Sequence, residues 1–198
     1  MLVTTTYLEQ TSEDRIRPTR EPDEAVEVVR AEEPSPEFVR FLYAAVGSPW
    51  PWTTNLTWTW QQWYDALTVP GIETWVCWRR GTPAGFAQLR GVPEDGRTNV
   101  EITSFGLIPE FIGRGFGGHL LTVALRRAWS LHERWPDLPK VGRVWLHTCT
   151  LDGPHALANY QARGLTPYRI EESEQPIGDP PQPWPGADRP PVQGTARA

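Results

Sequence analysis

Apolar and polar positions follow two rhythms along this chain, and the switches between them mark its elements. A short β-prone piece at residues 3–8 gives way to turn-like polar residues, and AVEVVRAE (25–32) then alternates as a first solid strand. PSPEFVRFLYAAVG changes to helical spacing, with Ser35 to cap it, Pro36 in its first turn and Gly47 to end it. SPWPWTTNLTWTWQQWYDALT holds Trp50, Trp52, Trp58, Trp60 and Trp63 within fourteen positions. Pro49 and Pro51 make its first half a loop, and a short helix is expected from Thr59. IETWVCWRRG and TPAGFAQLRG flank a turn near Gly81 and predict a hairpin; TNVEITSFGLIP adds a strand over about 98–107. A helix through about Arg134 follows, apolar at Leu120, Leu121, Ala124, Leu125, Ala128 and Leu131. GRVWLHTCT reads as a strand. DGPHALANYQARGL reads as a short helix capped by Asp152, with Pro154 in its first turn and Gly164 at its end, and TPYRIEE as a last strand. This order predicts an α/β chain with a single mixed sheet and helices on both faces.

Composition narrows the classes. The 198 residues suit one domain, read here as 1–172 with its core at about 25–170; the Pro-rich, acidic 173–198 reads as a loose or surface-packed tail that Trp184 can anchor. A net charge of -5 argues against a general nucleic-acid binder. Cys77 and Cys149 sit in strand-like runs and read as reduced core thiols, which points to a reducing compartment. With no run of 18 apolar residues and no basic-then-apolar start, the expectation is a cytoplasmic protein without a membrane partner.

Residues 113–118, GRGFGG, put four glycines where a strand ends and a helix begins, although glycine weakens a helix by roughly 1 kcal/mol relative to alanine. The first N–H groups of a helix lack partners and the dipole favours an anion there; glycine lets an anion approach the backbone. Arg114 can add charge. The sequence therefore suggests a phosphate or diphosphate grip, against the plainer alternative of a tight turn packed on a strand. Gly113, Gly115 and Gly118 satisfy GxGxxG, but antiparallel strands precede them and no acidic residue ends the next strand, so a dinucleotide fold fits poorly; no Lys-Ser or Lys-Thr follows, so a P-loop fails as well.

The stretch Ile112-Gly113-Arg114-Gly115-Phe116-Gly117 resembles the [Q/R]-x-x-G-x-[G/A] signature of the GNAT acyl-CoA-dependent N-acyltransferases, and GPHALANYQARGL resembles their later N-x-x-A-x-x-x-Y-x-x-x-G-F pattern through Ala156, Tyr160, Gly164 and Leu165. Ile112 and Gly153 depart from it, where the family has Gln or Arg and Asn. The resemblance covers about 25–170 and implies a mostly antiparallel sheet splayed at a bulged strand. It further implies that backbone at Phe105, Gly106 and Leu107 pairs with pantetheine amides, and that N–H groups around Gly113, Arg114, Gly115, Phe116, Gly117 and Gly118 hold the diphosphate of acetyl-CoA.

On that resemblance an amine attacks the thioester directly. Tyr160 matches the family tyrosine that protonates the departing sulfur, the alternative being a ring packed on the sheet. Glu101 lies where relatives often carry a carboxylate base, and His147 has a suitable ordinary pKa for that role; a solvated strand glutamate and a hydrogen-bonded core histidine are the alternatives. His119 and His132 read as rim residues. His147, Cys149 and His155 lie within nine positions, but no fourth ligand has a zinc-like spacing, so no metal is expected. Trp50, Trp52, Trp58 and Trp60 are candidates for the acceptor wall, with most of the cluster fastening the loop to the core. The expected function is acetyl transfer from acetyl-CoA to a small-molecule amine or amino acid. Three readings compete: a coenzyme-binding regulatory module without turnover, a transferase using a tRNA or carrier protein, and, more weakly, a nucleotide-cofactor oxidoreductase. Exposed tryptophans could also cover a homodimer contact.

Overall fold

Seven strands make one sheet: β1 (Leu2–Gln10), β2 (Glu27–Ala31), β3 (Ile72–Arg79), β4 (Thr82–Glu94), β5 (Arg97–Leu107), β6 (Val141–Cys149) and β7 (Thr166–Glu174). The computed structural model describes residues 1–175: Ser173 and Glu174, read from the sequence as the start of the tail, are the end of β7 paired with Val3 and Leu2, and residues 176–198 with Trp184 lie outside the described residues. The strand order is β2-β3-β4-β5-β6-β1-β7, antiparallel throughout except between β5 and β6. Arg80-Gly81 and Asp95-Gly96, all four at positive φ, close the β3–β4 and β4–β5 turns, as two-residue hairpins require.

Helices α1 (Pro36–Gly47) and α2 (Trp60–Leu67) cover one face. The Ser35 hydroxyl accepts from the Phe38 N–H to start α1, and Thr59 and Gln62 form a reciprocal capping box on α2. Val39, Leu42, Tyr43 and Trp63 pack there on Val76 and Phe86. On the other face α3 (Phe116–Trp129) buries Leu120, Leu121, Ala124, Leu125 and Ala128 against Leu89, Val100, Ile102, Val144 and Leu146, while α5 (Ala156–Ala162) packs beside it.

Three expectations need correction. The short β-prone start, set outside the expected core of 25–170, is a nine-residue strand within the sheet: β1 runs antiparallel to both β6 and β7, between them. The long helix is broken at Ser130, whose hydroxyl donates to the Arg126 carbonyl, and a separate short helix α4 (Leu131–Arg134) follows. Asp152 does not cap α5. The helix starts after His155, and Asp152 instead accepts from the Thr148 hydroxyl at 2.7 Å and the Cys149 N–H at 3.0 Å, closing the turn after β6.

α4 also completes a buried ion cluster. Glu73 of β3 is fully buried and takes two hydrogen bonds from Arg134, at 2.8 Å each, and one each from the Trp75 and Trp135 indoles, with Arg30 at 3.3 Å. Burial raises the Glu73 pKa, but Arg134, the Trp75 N–H and Arg30 together outweigh it, and the net value lies below the ordinary carboxylate.

The parallel pair β5–β6 positions the site. Its register runs only from Thr98 opposite Val141 to Glu101 opposite Trp145. Beyond Glu101, β5 stays with β4 and β6 with β1, so the two strands part. In the same place Thr103 is the extra residue of a bulge: Gln88 faces Ser104 and Leu89 faces Ile102, and the Thr103 hydroxyl donates to the Gln88 side-chain oxygen at 3.2 Å. The bulged, splayed sheet implied by the resemblance is present.

Candidate active site

The glycine-rich loop sits at the far end of β5, so the strand that opens the gap also delivers the anion site. A one-turn helix at Pro109–Phe111 turns the chain, and Gly113 and Gly115 then adopt φ of 84° and 80°, with no neighbouring atom within 4 Å of where a Cβ would stand. Gly115 begins α3 without a side-chain cap, so the N–H groups of Phe116, Gly117 and Gly118 have no intrahelical acceptor. Fully buried Phe116 fixes the helix start in the core. This open, positive-φ cradle at an uncapped helix terminus fits a diphosphate.

Arg114 is already engaged. It donates twice to Glu24, with Nε at 2.9 Å, and its guanidinium lies 5.4 and 4.8 Å from the ring centres of Phe111 and Phe116. Glu24 also accepts from Arg79, and the two guanidiniums, Arg114 first, hold its pKa down to about 2. The carboxylate offsets the charge Arg114 would bring to the loop.

Phe105, Gly106 and Leu107 line the gap on the β5 side. Their other edge is paired with Ala87, Phe86 and Gly85, and in an antiparallel ladder alternate backbone groups then point away from β4, here into the gap. Gly106 has a second reason to be glycine: a Cβ there would stand 2.5 Å from the Val46 side chain of α1. From α5, Tyr160 brings a buried ring edge-on to Phe105, with centroids 5.8 Å apart. Burial, with Asp152 nearby, pushes its hydroxyl pKa well up, so it stays protonated at any physiological pH.

Glu101 occupies the last paired position before the strands part. Its side chain is 17% exposed and its Oε1 lies 3.9 Å from Nδ1 of His147, itself 47% exposed on β6. Burial raises the Glu101 pKa, and His147 and Arg90 pull it partly back. Around His147 stand Tyr7 at 5.6 Å and Trp145 at 6.4 Å between ring centres, and Tyr168 lies 6.1 Å from Tyr7.

The tryptophans divide into two groups. Trp50 lies against Gly153, where a Cβ would meet its ring at 3.1 Å, and the Trp52 indole donates to Asp152 at 3.4 Å. The α1–α2 connection thus reaches across the open end of the gap to the turn after β6. Trp58 packs edge-on against Trp63 in the α1–α2 core. Trp60 is 52% exposed, stacked on Tyr64 and bonded to Glu37 at 2.9 Å. The structure therefore pairs Glu101 with His147 and Tyr160 with Phe105, sets the glycine loop at the end of the same β5, lays Trp50 and Trp52 against the turn after β6, and turns Trp58 and Trp60 elsewhere.

Several neighbours of this site escaped the sequence reading. Trp145 was accessible in principle, since it shares a strand face with His147 by simple alternation. Tyr7 and Glu24 carry no local signal, since each arrives by a pairing with a distant segment; Arg90 faces Glu101 across the β4–β5 hairpin and depends on that register. Among the described residues, no group of three or more His, Cys, Asp or Glu is placed to hold a metal, and no helix is long and apolar enough to cross a membrane.

The family model described as "Acetyltransferase (GNAT) family" matches residues 32–165, about two thirds of the chain. No curated protein sequence matches. Among solved structures, a functionally unknown conserved protein from Staphylococcus epidermidis is 16% identical with a TM-score of 0.57, over 87% of this chain and 60% of that one. A GCN5-related N-acetyltransferase from Kribbella flavida is 15% identical, TM-score 0.54, over 83% and 54%. An aminoglycoside acetyltransferase from an uncultured soil metagenomic sample is 14% identical, TM-score 0.57, over 78% and 99%. At these identities the likeness is one of fold. The chain spans little more than half the length of the first two.

Proposed function

Because the chain belongs to the acetyltransferase (GNAT) family, we propose that it transfers an acyl group, by default acetyl, from acyl-coenzyme A to the amine of a small molecule by direct attack in a ternary complex. One observation carries this reading: β5 and β6 part at Glu101, and the strand that leaves the pair ends in the open glycine cradle. Bound there, the coenzyme supplies the activated acyl group.

The chain's own residues have the remaining tasks. The N–H groups of Phe116, Gly117 and Gly118 would neutralise the diphosphate, and the β5 edge at Phe105–Leu107 would align the arm by backbone pairing. Glu101, alone or with His147, takes the proton that the attacking amine must lose; a carboxylate whose pKa is raised by burial is a better base near neutral pH than an ordinary one. Tyr160, protonated because it is buried, gives its proton to the leaving sulfur. Trp50 and Trp52, which strap the end of the gap, border the acceptor, while Trp58 and Trp60 serve the α1–α2 cluster.

Release of free thiol from acetyl-CoA with a panel of small amines, alongside calorimetric titration with coenzyme A, tests the reading. Binding and amine-dependent thiol release are expected. Coenzyme binding with no turnover across the panel would move the chain to a regulatory module, and no binding at all would end the coenzyme reading.

A further inference from the structure

The connection from β1 to β2, residues 11–26, has to travel from inside one half of the sheet to the opposite edge, and it crosses α5 and α3 on the way. The Arg17 N–H donates to the Arg163 carbonyl at 3.2 Å, and the Thr19 N–H donates to the Thr122 hydroxyl at 3.2 Å. Gly164, at φ 90°, ends α5 so close under the connection that a Cβ would run into the Arg15 carbonyl oxygen. Between the connection and the end of α5 lies a cavity of about 270 Å³, whose polar lining is Asp14, Arg15, Arg17, Gln161 and Thr166. The Asp14 carboxylate is bonded by the Ser12 hydroxyl at 3.3 Å. Among the described residues, neither the Arg15 nor the Arg17 side chain makes an ion pair or hydrogen bond. Arg163 joins this cavity to the glycine loop: its Nη1 lies 2.7 Å from where a Cβ on Gly118 would stand, and its Nε is buried without a partner.

We propose that this cavity receives the 3′-phosphate end of coenzyme A, with the guanidiniums of Arg15 and Arg17 as its ligands. The inference rests on the coenzyme reading of the glycine loop and adds which end of the coenzyme this chain recognises and with what. A phosphomonoester carries nearly two charges at neutral pH, and arginine meets it with two parallel N–H bonds. A cavity slightly below the roughly 300–1,000 Å³ of sites that enclose a whole ligand suits one terminus of a long molecule. Arg163 stands beside Gly118 in the first turn of α3 and accepts from the Arg17 N–H through its carbonyl, so a molecule with a diphosphate and a separate monoester matches both ends. A carrier protein presents a pantetheine arm without the nucleotide and would leave this cavity unused, so the arginines select the free coenzyme.

The test is calorimetric titration of the full chain with coenzyme A and with 3′-dephospho-coenzyme A, for wild type, Arg17→Ala, Arg17→Lys and the Arg15→Ala/Arg17→Ala double variant. Wild type is expected to prefer coenzyme A about tenfold or more. The double variant should bring that ratio close to one by weakening coenzyme A alone, with dephospho-coenzyme A unchanged, and Arg17→Lys should fall between because lysine cannot make the paired bonds. A wild-type ratio near one, or a ratio that survives in the double variant, overturns the inference while leaving the coenzyme reading in place. If wild type binds neither ligand, the coenzyme reading falls and this inference with it. Should the double variant fail to fold, the wild-type ratio and Arg17→Lys still decide.

Discussion

Glu101 and Glu73 are two buried carboxylates of one sheet whose surroundings push them in opposite directions, and the difference separates chemistry from stability. Glu101 loses hydration without gaining a strong partner, so its pKa rises. Its folded value lies above the unfolded one, so its contribution favours the fold at low pH and is lost as pH rises through that raised value. Glu101→Gln is therefore expected to raise the melting temperature at pH 7 while lowering kcat by on the order of 10²-fold, and to remove the acidic limb of the kcat/KM profile, which in wild type should lie above the ordinary carboxylate range. An unchanged acidic limb would free Glu101 of the base role. Glu73 shows the reverse sign. Arg134 and its companions hold its pKa down, so its contribution is present above the unfolded carboxyl value and disappears as pH falls through the lower folded one. Arg134→Ala should cost about 3 kcal/mol in urea denaturation at pH 7 by leaving a buried charge short of its main partner, with the deficit shrinking toward pH 3. Tyr160→Phe keeps the ring against Phe105 and removes only the hydroxyl; kcat should fall at least tenfold with coenzyme A affinity within twofold of wild type.

At the scale of elements, the left-handed glycines divide according to what surrounds them. Nothing stands within 4 Å of where a Cβ on Gly115 would lie, so Gly115→Ala should cost only the backbone term, about 1–2 kcal/mol, yet weaken coenzyme A by more than tenfold because a methyl group would stand in the cradle. Gly164 lies under the Arg15 carbonyl, so Gly164→Ala meets both the backbone penalty and a collision, and a larger loss of about 3 kcal/mol or more is expected, read from the shift in urea midpoint. An equal cost at the two sites would contradict this packing. The helices and hairpins were legible from the sequence because the signals are local: capping residues such as Ser35 and Thr59, turn pairs such as Arg80-Gly81, and apolar spacing along α3. The break at Ser130 was not, because a serine hydroxyl bonding back to Arg126 leaves the apolar period intact on both sides. Asp152 was misread for a related reason. It has the right residue type for a cap, but the Thr148 hydroxyl and the Cys149 N–H at the end of β6 draw it back into a local turn, and the Trp52 indole, from a loop a hundred residues away, holds its other oxygen.

At the scale of the whole molecule, the order of strands decides which residues meet. Inserting β1 between β6 and β7 places Tyr7 opposite His147 and forces the β1–β2 connection across α3 and α5. Removing residues 1–10 should therefore abolish cooperative thermal unfolding, since β6 and β7 would both lose their partner in mid-sheet; a truncated chain that still melts sharply would mean that the two strands can pair directly. The sequence by itself determined the elements, the glycine loop, the placement of Glu101 and Phe105 on one strand, and the family, because each of these is written in residues close together in the chain, where periodicity, caps and motif spacing act. Tertiary structure alone decided the place of β1, the Glu24–Arg114 pair, the reach of Trp50 and Trp52 to the turn after β6, and the arginine-lined cavity over α5. Those depend on contacts between segments separated by about a hundred residues or more in most cases, and no local pattern of polarity encodes which distant partner a strand edge or a charged side chain will find.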